Sequence, residues 1–500
     1  NERIPDRGIL WRRPTGEVGE PVPVDKSTYF GWANTDREEA VVDTFTAVVE
    51  HDFSKQVSIR NTTRLARTDN FSSLATMNGL VCIDGEPFNA TGTCPVAGGD
   101  TFSMTGVPGN IRDDLTKVMA NITDVTWKFT TGGIAHTLVT GFALTEEDFE
   151  REGWTARTPT NGALPGSVVR DLNDPDPTYD IPFRYFRGGN QVEADVSNRA
   201  LYVFDTMEFG AHWQLNAGVR YERNEASYET TNITVASGAV ASVSEAEVGD
   251  DLVSSRIGVV YKPVEHGSIY AAVGNSLTPS ATSVVTACTA TGNNTYCGLD
   301  PEETTSYEVG TKWDLFDSRL SLSGALFRNE RNSYRVNSAD TSEPQKLDGE
   351  NYVEGIELGA SGKITDQWAV YAGYSFMDSA VLQGAADEAL TDTQKDYEVP
   401  NTPRHTGNVW TTYLLPGGIE LGYGLRHIGS YKTEAAAVTA TVPRSTVHNA
   451  MIGYRINRNV FARLNVNNLN DETYWTSVRA HGWGHPGEGR SAVLSVDVTL

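Results

Sequence analysis

Three short segments concentrate side chains that bind anions and stack against rings. YWTSVRAHGWGHPGEGR (474–490) carries Tyr474, Trp475, Arg479, His481, Trp483, His485 and Arg490. FRNERNSYR (327–335) carries Arg328, Arg331, Tyr334 and Arg335, and PFRYFRGG (182–189) carries Arg184, Tyr185, Phe186 and Arg187. Guanidinium groups supply charge and forked hydrogen bonds, and indole and phenol rings supply stacking faces. The same residues equally suit an interfacial belt and ion pairs with loop acids, so both roles stand open. His481 and His485 are polar loop groups as readily as metal ligands, and no metal site is assigned to them. Catalysis finds no support. The chain has no GxSxG elbow, no HExxH, no phosphate loop and no nucleophile placed beside a base.

The elements that would carry these segments read as strands. In WQLNAGVRYER, Trp213, Leu215, Ala217, Val219 and Tyr221 share one face, against Gln214, Asn216, Gly218, Arg220 and Glu222. In YEVGTKWDL, Tyr307, Val309, Thr311, Trp313 and Leu315 oppose Glu308, Gly310, Lys312 and Asp314. In IELGYGLRH, Ile419, Leu421, Tyr423 and Leu425 oppose Glu420, Gly422, Gly424 and Arg426. Stretches of about 9–11 residues, apolar on one face and polar on the other, suit tilted strands crossing a bilayer. No run of about 18 apolar residues occurs, which excludes ordinary transmembrane helices but not a transmembrane β-barrel.

Connection lengths decide between a barrel and a soluble sandwich. About 17 candidate strands from Val42 to Leu500 alternate short turns with long excursions. The turns are 51–56, 130–134, 207–212, 262–267, 314–319, 363–367, 415–418 and 456–459. Between them lie excursions at 68–115, 145–198, 224–251, 275–304, 329–352, 378–406, 428–446 and 476–490. Tight turns on one rim and long loops on the other mark periplasmic and extracellular ends. Trp127, Phe129, Tyr261, Trp313 and Trp368 stand near strand ends, as girdle aromatics do. The net charge of −25 argues against nucleic acid, and its surplus acids cluster in the excursions, for example EEDFERE (146–152). Four cysteines form two close loop pairs, Cys82 with Cys94 and Cys288 with Cys297. Disulfides in an oxidising compartment are the better reading, free thiols the alternative. Parity places residues 1–41 in an extracellular loop, so an odd number of strands is expected upstream.

At this level SYEVGTKWDLFDSRLSLSGALFRNERN (306–332), EHDFSKQVSIRNTTRLA (50–66), NYVEGIELGASGKITDQWAVYAGYSFMDS (351–379), VPNTPRHTGNVWTTY (399–413) and NLNDETYW (468–475) resemble TonB-dependent outer-membrane receptors. The likeness is to the ferric-siderophore receptors of catecholate type, and it runs over nearly the whole chain. The resemblance implies an all-β, 22-stranded transmembrane antiparallel barrel, with residues 1–500 forming its C-terminal part. The family's plug domain, its energy-coupling box and the first strands are then expected upstream. It implies active import of a ferric siderophore driven by the TonB–ExbB–ExbD complex, with lipid and lipopolysaccharide around the barrel. No protein cofactor and no enzymatic step are implied, because the siderophore carries the iron. Arg220, Glu222, Glu308, Lys312, Glu420 and Arg426 would face the plug, and the three cationic–aromatic segments would form the ligand cup. Other TonB-dependent ligands (cobalamin, other metal chelates, oligosaccharides) and a passive porin are the alternatives. The C-terminal run keeps Leu494, Val496, Val498 and Leu500 outward but ends on leucine, where the family usually ends on an aromatic. In NVNNLNDETYW (465–475), Asn468 and Leu469 break the strand alternation. That break predicts a bulge, or a Leu469 turned toward the plug.

Overall fold

The computed structural model describes residues 2–3, 8–12, 20–76, 79–88, 92–280, 298–336, 345–385, 392–437, 439–478 and 482–499. Seventeen long strands, from Arg37–Asp52 to Ser491–Val498, run antiparallel, each registered against the next in chain order. Five short rim strands bring this sheet to 22 members, so that number is not a count of wall strands. Ser491–Val498 is registered only against Val460–Asn467. Arg37–Asp52 is registered only against Val57–Thr76 and, over two residues, Glu2–Arg3. Among the described residues no register joins the first wall strand to the last.

One face of the wall is an apolar band turned to the outside. Cross-strand neighbours continue it: Leu201, Tyr221 and Val253 align, as do Val309, Leu326 and Ile356. Tyr413, Leu421, Ile452, Leu464 and Leu494 form a third row. Leu326 is 57% exposed and Leu494 70%. Apolar surface on this scale needs a hydrocarbon neighbour. Trp127, Trp213, Tyr261 and Trp368 stand exposed near the short-turn rim, where a girdle belongs.

The short turns fall where the alternation places them, but the excursions do not. Strand Trp213–Thr234 pairs with Ala239–Val264 up to a turn at 235–238, so most of 224–251 is sheet and not loop. Thr101–Thr131 runs 31 residues, roughly 100 Å of strand, against an apolar band of about 25 Å. Much of 68–115 and 145–198 is likewise wall. Above the bilayer both faces meet water, so alternation fades while Thr, Val and Tyr still favour strands. By contrast Val460–Asn467 and Ser491–Val498 have 8 residues each, so the wall is tall on one side and low on the other.

The largest cluster of buried apolar side chains lies at the long-loop rim, where the rim segments meet the tops of strands Val57–Thr76 and Thr101–Thr131. Trp11, Phe30, Trp32, Val81, Phe102, Met104, Leu172, Tyr179, Val442 and Trp475 pack into one cap. A four-stranded sheet made of Ile9–Arg12, Glu20–Pro21, Trp475–Val478 and Gly482–Pro486 ties the start of the chain to its last long loop. Within the cap a Cys82–Cys94 disulfide forms, as expected. The Cys288–Cys297 pair lies outside the described residues.

Candidate functional site

On the face opposite the apolar band, strand glycines make room for aromatic rings. Tyr202 lies on Gly141, Phe204 on Gly218, Tyr270 on Gly310 and Trp410 on Gly424, where any Cβ would clash with the ring. Such pairs pin register while covering an exposed backbone. Cations sit over three of these rings: Arg220 over Tyr202 at 5.2 Å, Arg256 over Phe204 at 4.7 Å, and Lys312 over Tyr270 at 5.5 Å. Arg220 pairs with Glu222 at 2.5 Å, and Glu222 accepts a hydrogen bond from Asn198. The Tyr270 hydroxyl donates to Glu308 at 2.5 Å. The predicted lumen residues Arg220, Glu222, Glu308, Lys312 and Arg426 therefore share one polar face.

The predicted cup divides. Arg328 stands two residues from the outward Leu326 and shares its face, so it points off the outer wall rather than into a cup. There it bonds Glu330 and Glu354, each at 2.6 Å, and lies over Tyr352 at 4.3 Å. Arg331 and Arg335 both contact Glu302, which is 7% exposed. Arg335 also donates to the carbonyls of Pro279 and Ser280, and Tyr334 to the carbonyl of Gln383. These arginines fasten loop bases, because the nearby acids neutralise them. Arg184 and Arg187 are exposed, with Tyr185 between them bonded to Ser73.

In the last long loop Trp475 is not a ligand surface. It is 9% exposed and edge-on to Trp11 at 4.5 Å, with Gly484 packed so close to both rings that a Cβ there would clash with each. Arg479 and His481 lie outside the described residues, and of Trp483 only the backbone is described, paired with Leu10. Tyr474 remains partly exposed, and its ring meets the Arg426 guanidinium at 5.5 Å. Arg426 and its lumen-face neighbours Glu357, Ser375, Thr406 and Asn408 line an open cavity of about 580 Å³. Among the described residues no carboxylate forms an ion pair with Arg426.

Two functional features escaped the sequence. Arg170, 6% exposed, lies over Trp32 at 4.0 Å and donates to the carbonyls of Phe30, Gly31 and Asp176. Burial pushes its guanidinium down to about 10, and Asp176 and Asp36 hold it charged at neutral pH. It is the cap's central polar fastening. The second is Asp471, whose carboxylate is held below its ordinary value by the backbone N–H of Arg490 and by Lys26. A depressed carboxylate stabilises while ionised. Its contribution is whole above the ordinary value of 3.8 and is lost as pH falls through the lower native one. Amide protection in 471–478 and 482–490, taken relative to the intrinsic exchange rate at each pH, should therefore fall at pH below the ordinary value of 3.8, and Asp471→Asn should abolish that pH step.

A polar-lined, lipid-facing wall of antiparallel strands with a capped rim defines a class. Residues 5–469 match the TonB dependent receptor-like β-barrel family, and the chain belongs to it. It is an integral β-barrel protein of the outer membrane, and the long-loop rim is the extracellular one. The chain is 29% identical to the probable TonB-dependent siderophore receptor PiuA of Acinetobacter baumannii, over 99% of this chain and 65% of that protein. It is also 29% identical to the catecholate siderophore receptor Fiu of Escherichia coli K12, over 97% of this chain and 63% of that one. The crystal structure of Fiu in its closed form aligns with TM-score 0.84 at 27% identity, covering 99% of this chain and 70% of that chain. The chain thus spans less than two thirds of the length of these curated relatives.

Proposed function

We propose that these 500 residues are the wall and loops of a receptor that captures a ferric siderophore of catecholate type and imports it. The observation that carries this reading is the chain-long similarity to receptors named for siderophores and catecholates. The polar inner face supports it, since a plug contributed by segments outside this sequence would rest there, on Arg220, Glu222, Glu308 and Lys312, leaving Arg426 at the long-loop end of its strand for the ligand. Such a plug would be pulled by the TonB–ExbB–ExbD complex, and further wall strands would close the gap between the first and last strands. Iron belongs to the ligand, no bond of the ligand is cut, and the outer band rests in lipid and lipopolysaccharide. Arg184, Tyr185, Arg187, Tyr474 and Arg426 are the ligand contacts this reading favours.

A competition panel tests it on the full-length receptor in outer-membrane vesicles. Ferric catecholates, ferric hydroxamates, cobalamin and maltooligosaccharides compete for binding. Preferential retention of ferric catecholate is expected. Retention of cobalamin or sugar alone would replace the siderophore reading and keep the barrel.

A further inference from the structure

The amide cluster in NVNNLND is a clamp on the last extracellular loop. Asn468 is 2% exposed and sits at φ +48°, a left-handed conformation that asparagine tolerates better than most residues. Its side-chain amide donates to the carbonyls of Glu472 (2.9 Å) and Glu488 (3.0 Å), and its side-chain oxygen accepts the Glu472 N–H (2.8 Å). One carboxamide thereby grips both stems of the loop. The backbone N–H of Asn468 donates to Asn449, and Asn470 bonds His448 and Thr446, so the clamp is bolted to strand Ser445–Arg455. That strand is the neighbour of Ile419–Ile428, which carries Arg426.

The stem so held sets Tyr474. Gly487 N–H donates to the Tyr474 carbonyl at 2.7 Å, and the Tyr474 ring lies on Gly487, where any Cβ would fall 2.0 Å from it. The ring so placed stands 5.5 Å from the guanidinium of Arg426, and Arg426 lines the cavity it shares with Asn408, Ser375 and Glu357. Arg426, which has no carboxylate partner among the described residues, together with a phenol ring and amide and hydroxyl groups, suits a planar catecholate ring at the edge of an anionic ferric chelate. Glu357 on the same cavity would repel such an anion, confining its charge to the Arg426 end.

We infer that Arg426 and Tyr474 form an anionic-aromatic subsite at the extracellular mouth, and that Asn468 is its positioning residue. This rests on the siderophore reading above. The test is titration of the full-length receptor with the ferric complex of 2,3-dihydroxybenzoate, with ferrioxamine B as a cationic, non-aromatic control. Arg426→Gln should weaken the catecholate complex about tenfold or more, and Tyr474→Leu about threefold to tenfold, sparing the control. Glu357→Gln should tighten it. Asn468→Ala should weaken it about as much as Tyr474→Leu, and the Asn468→Ala/Tyr474→Leu pair no more than either alone. Asn468→Gly, which restores the backbone freedom but not the amide, should behave like Asn468→Ala; it also serves if the alanine variant fails to assemble. Additive losses for the pair, or full affinity in Asn468→Gly, would show a merely structural asparagine and overturn the positioning role. Tight wild-type binding left unchanged by Arg426→Gln and Tyr474→Leu would overturn the subsite alone. A wild-type receptor that binds no ferric chelate would remove the siderophore reading and this inference together.

Discussion

Replacing Arg170 with alanine should unfasten the extracellular cap while leaving the wall intact. The change removes hydrogen bonds to the carbonyls of Phe30, Gly31 and Asp176 and the cation over Trp32 and Phe102. The Phe30 and Gly31 carbonyls then stay buried without that donor, at a cost of about 2–3 kcal/mol to the cap. Lysine should not rescue, because a single ammonium cannot span carbonyls that the guanidinium fork reaches. Hydrogen exchange on the protein in lipid provides the readout. Amides in 20–36, 79–88 and 167–183 should lose protection, while those in Trp213–Thr234 keep theirs. Unchanged exchange in the cap would mean that the apolar cluster holds without Arg170.

Leu326→Arg should destabilise the wall in lipid by about 2–4 kcal/mol, the cost of a cation on the bilayer-facing side near its middle. Leu326 is 57% exposed and aligned with Val309 and Ile356, so lipid is the only shelter available to it. The same substitution at Ser323, on the opposite face of the same strand, should cost far less. Urea unfolding in liposomes, read by heat-modifiable mobility, compares the two variants. Equal costs would mean that the face assigned to lipid is wrong.

The wall was legible because lipid imposes a strict period of two. Trp213, Val219 and Tyr221 announce their face, and the tight turns at 132–133 and 416–418 announce the rim. The tall part of the wall was hidden, since water on both sides relaxes the alternation that betrays a strand. Functional residues were harder to place. Arg328 and Arg331 stand three apart in one cationic segment, yet Arg328 points off the outer wall and Arg331 reaches the buried Glu302, across a register shift beginning at Arg331. Trp475 looked like a stacking platform, but its partner is Trp11, 464 positions upstream, a contact that no local pattern announces. Arg170 gave no signal at all, since a lone arginine in SVVRD becomes a fastening only through carbonyls contributed by distant segments. The broken alternation at Asn468 was visible. Of the two expectations there, a bulge or a Leu469 turned toward the plug, the bulge gives way to a left-handed turn clamped by the Asn468 side chain, and Leu469 is 45% exposed.

The proposed energised import of a ferric catecholate can be followed as uptake of radiolabelled iron, presented as ferric 2,3-dihydroxybenzoate, into iron-starved cells whose only such receptor is the full-length protein. Uptake that requires the receptor, saturates, and stops when the proton gradient is collapsed is the expected result. Uptake of no ferric chelate, or entry that rises linearly with concentration and ignores the gradient, would mean that the protein is not an energised ferric catecholate receptor.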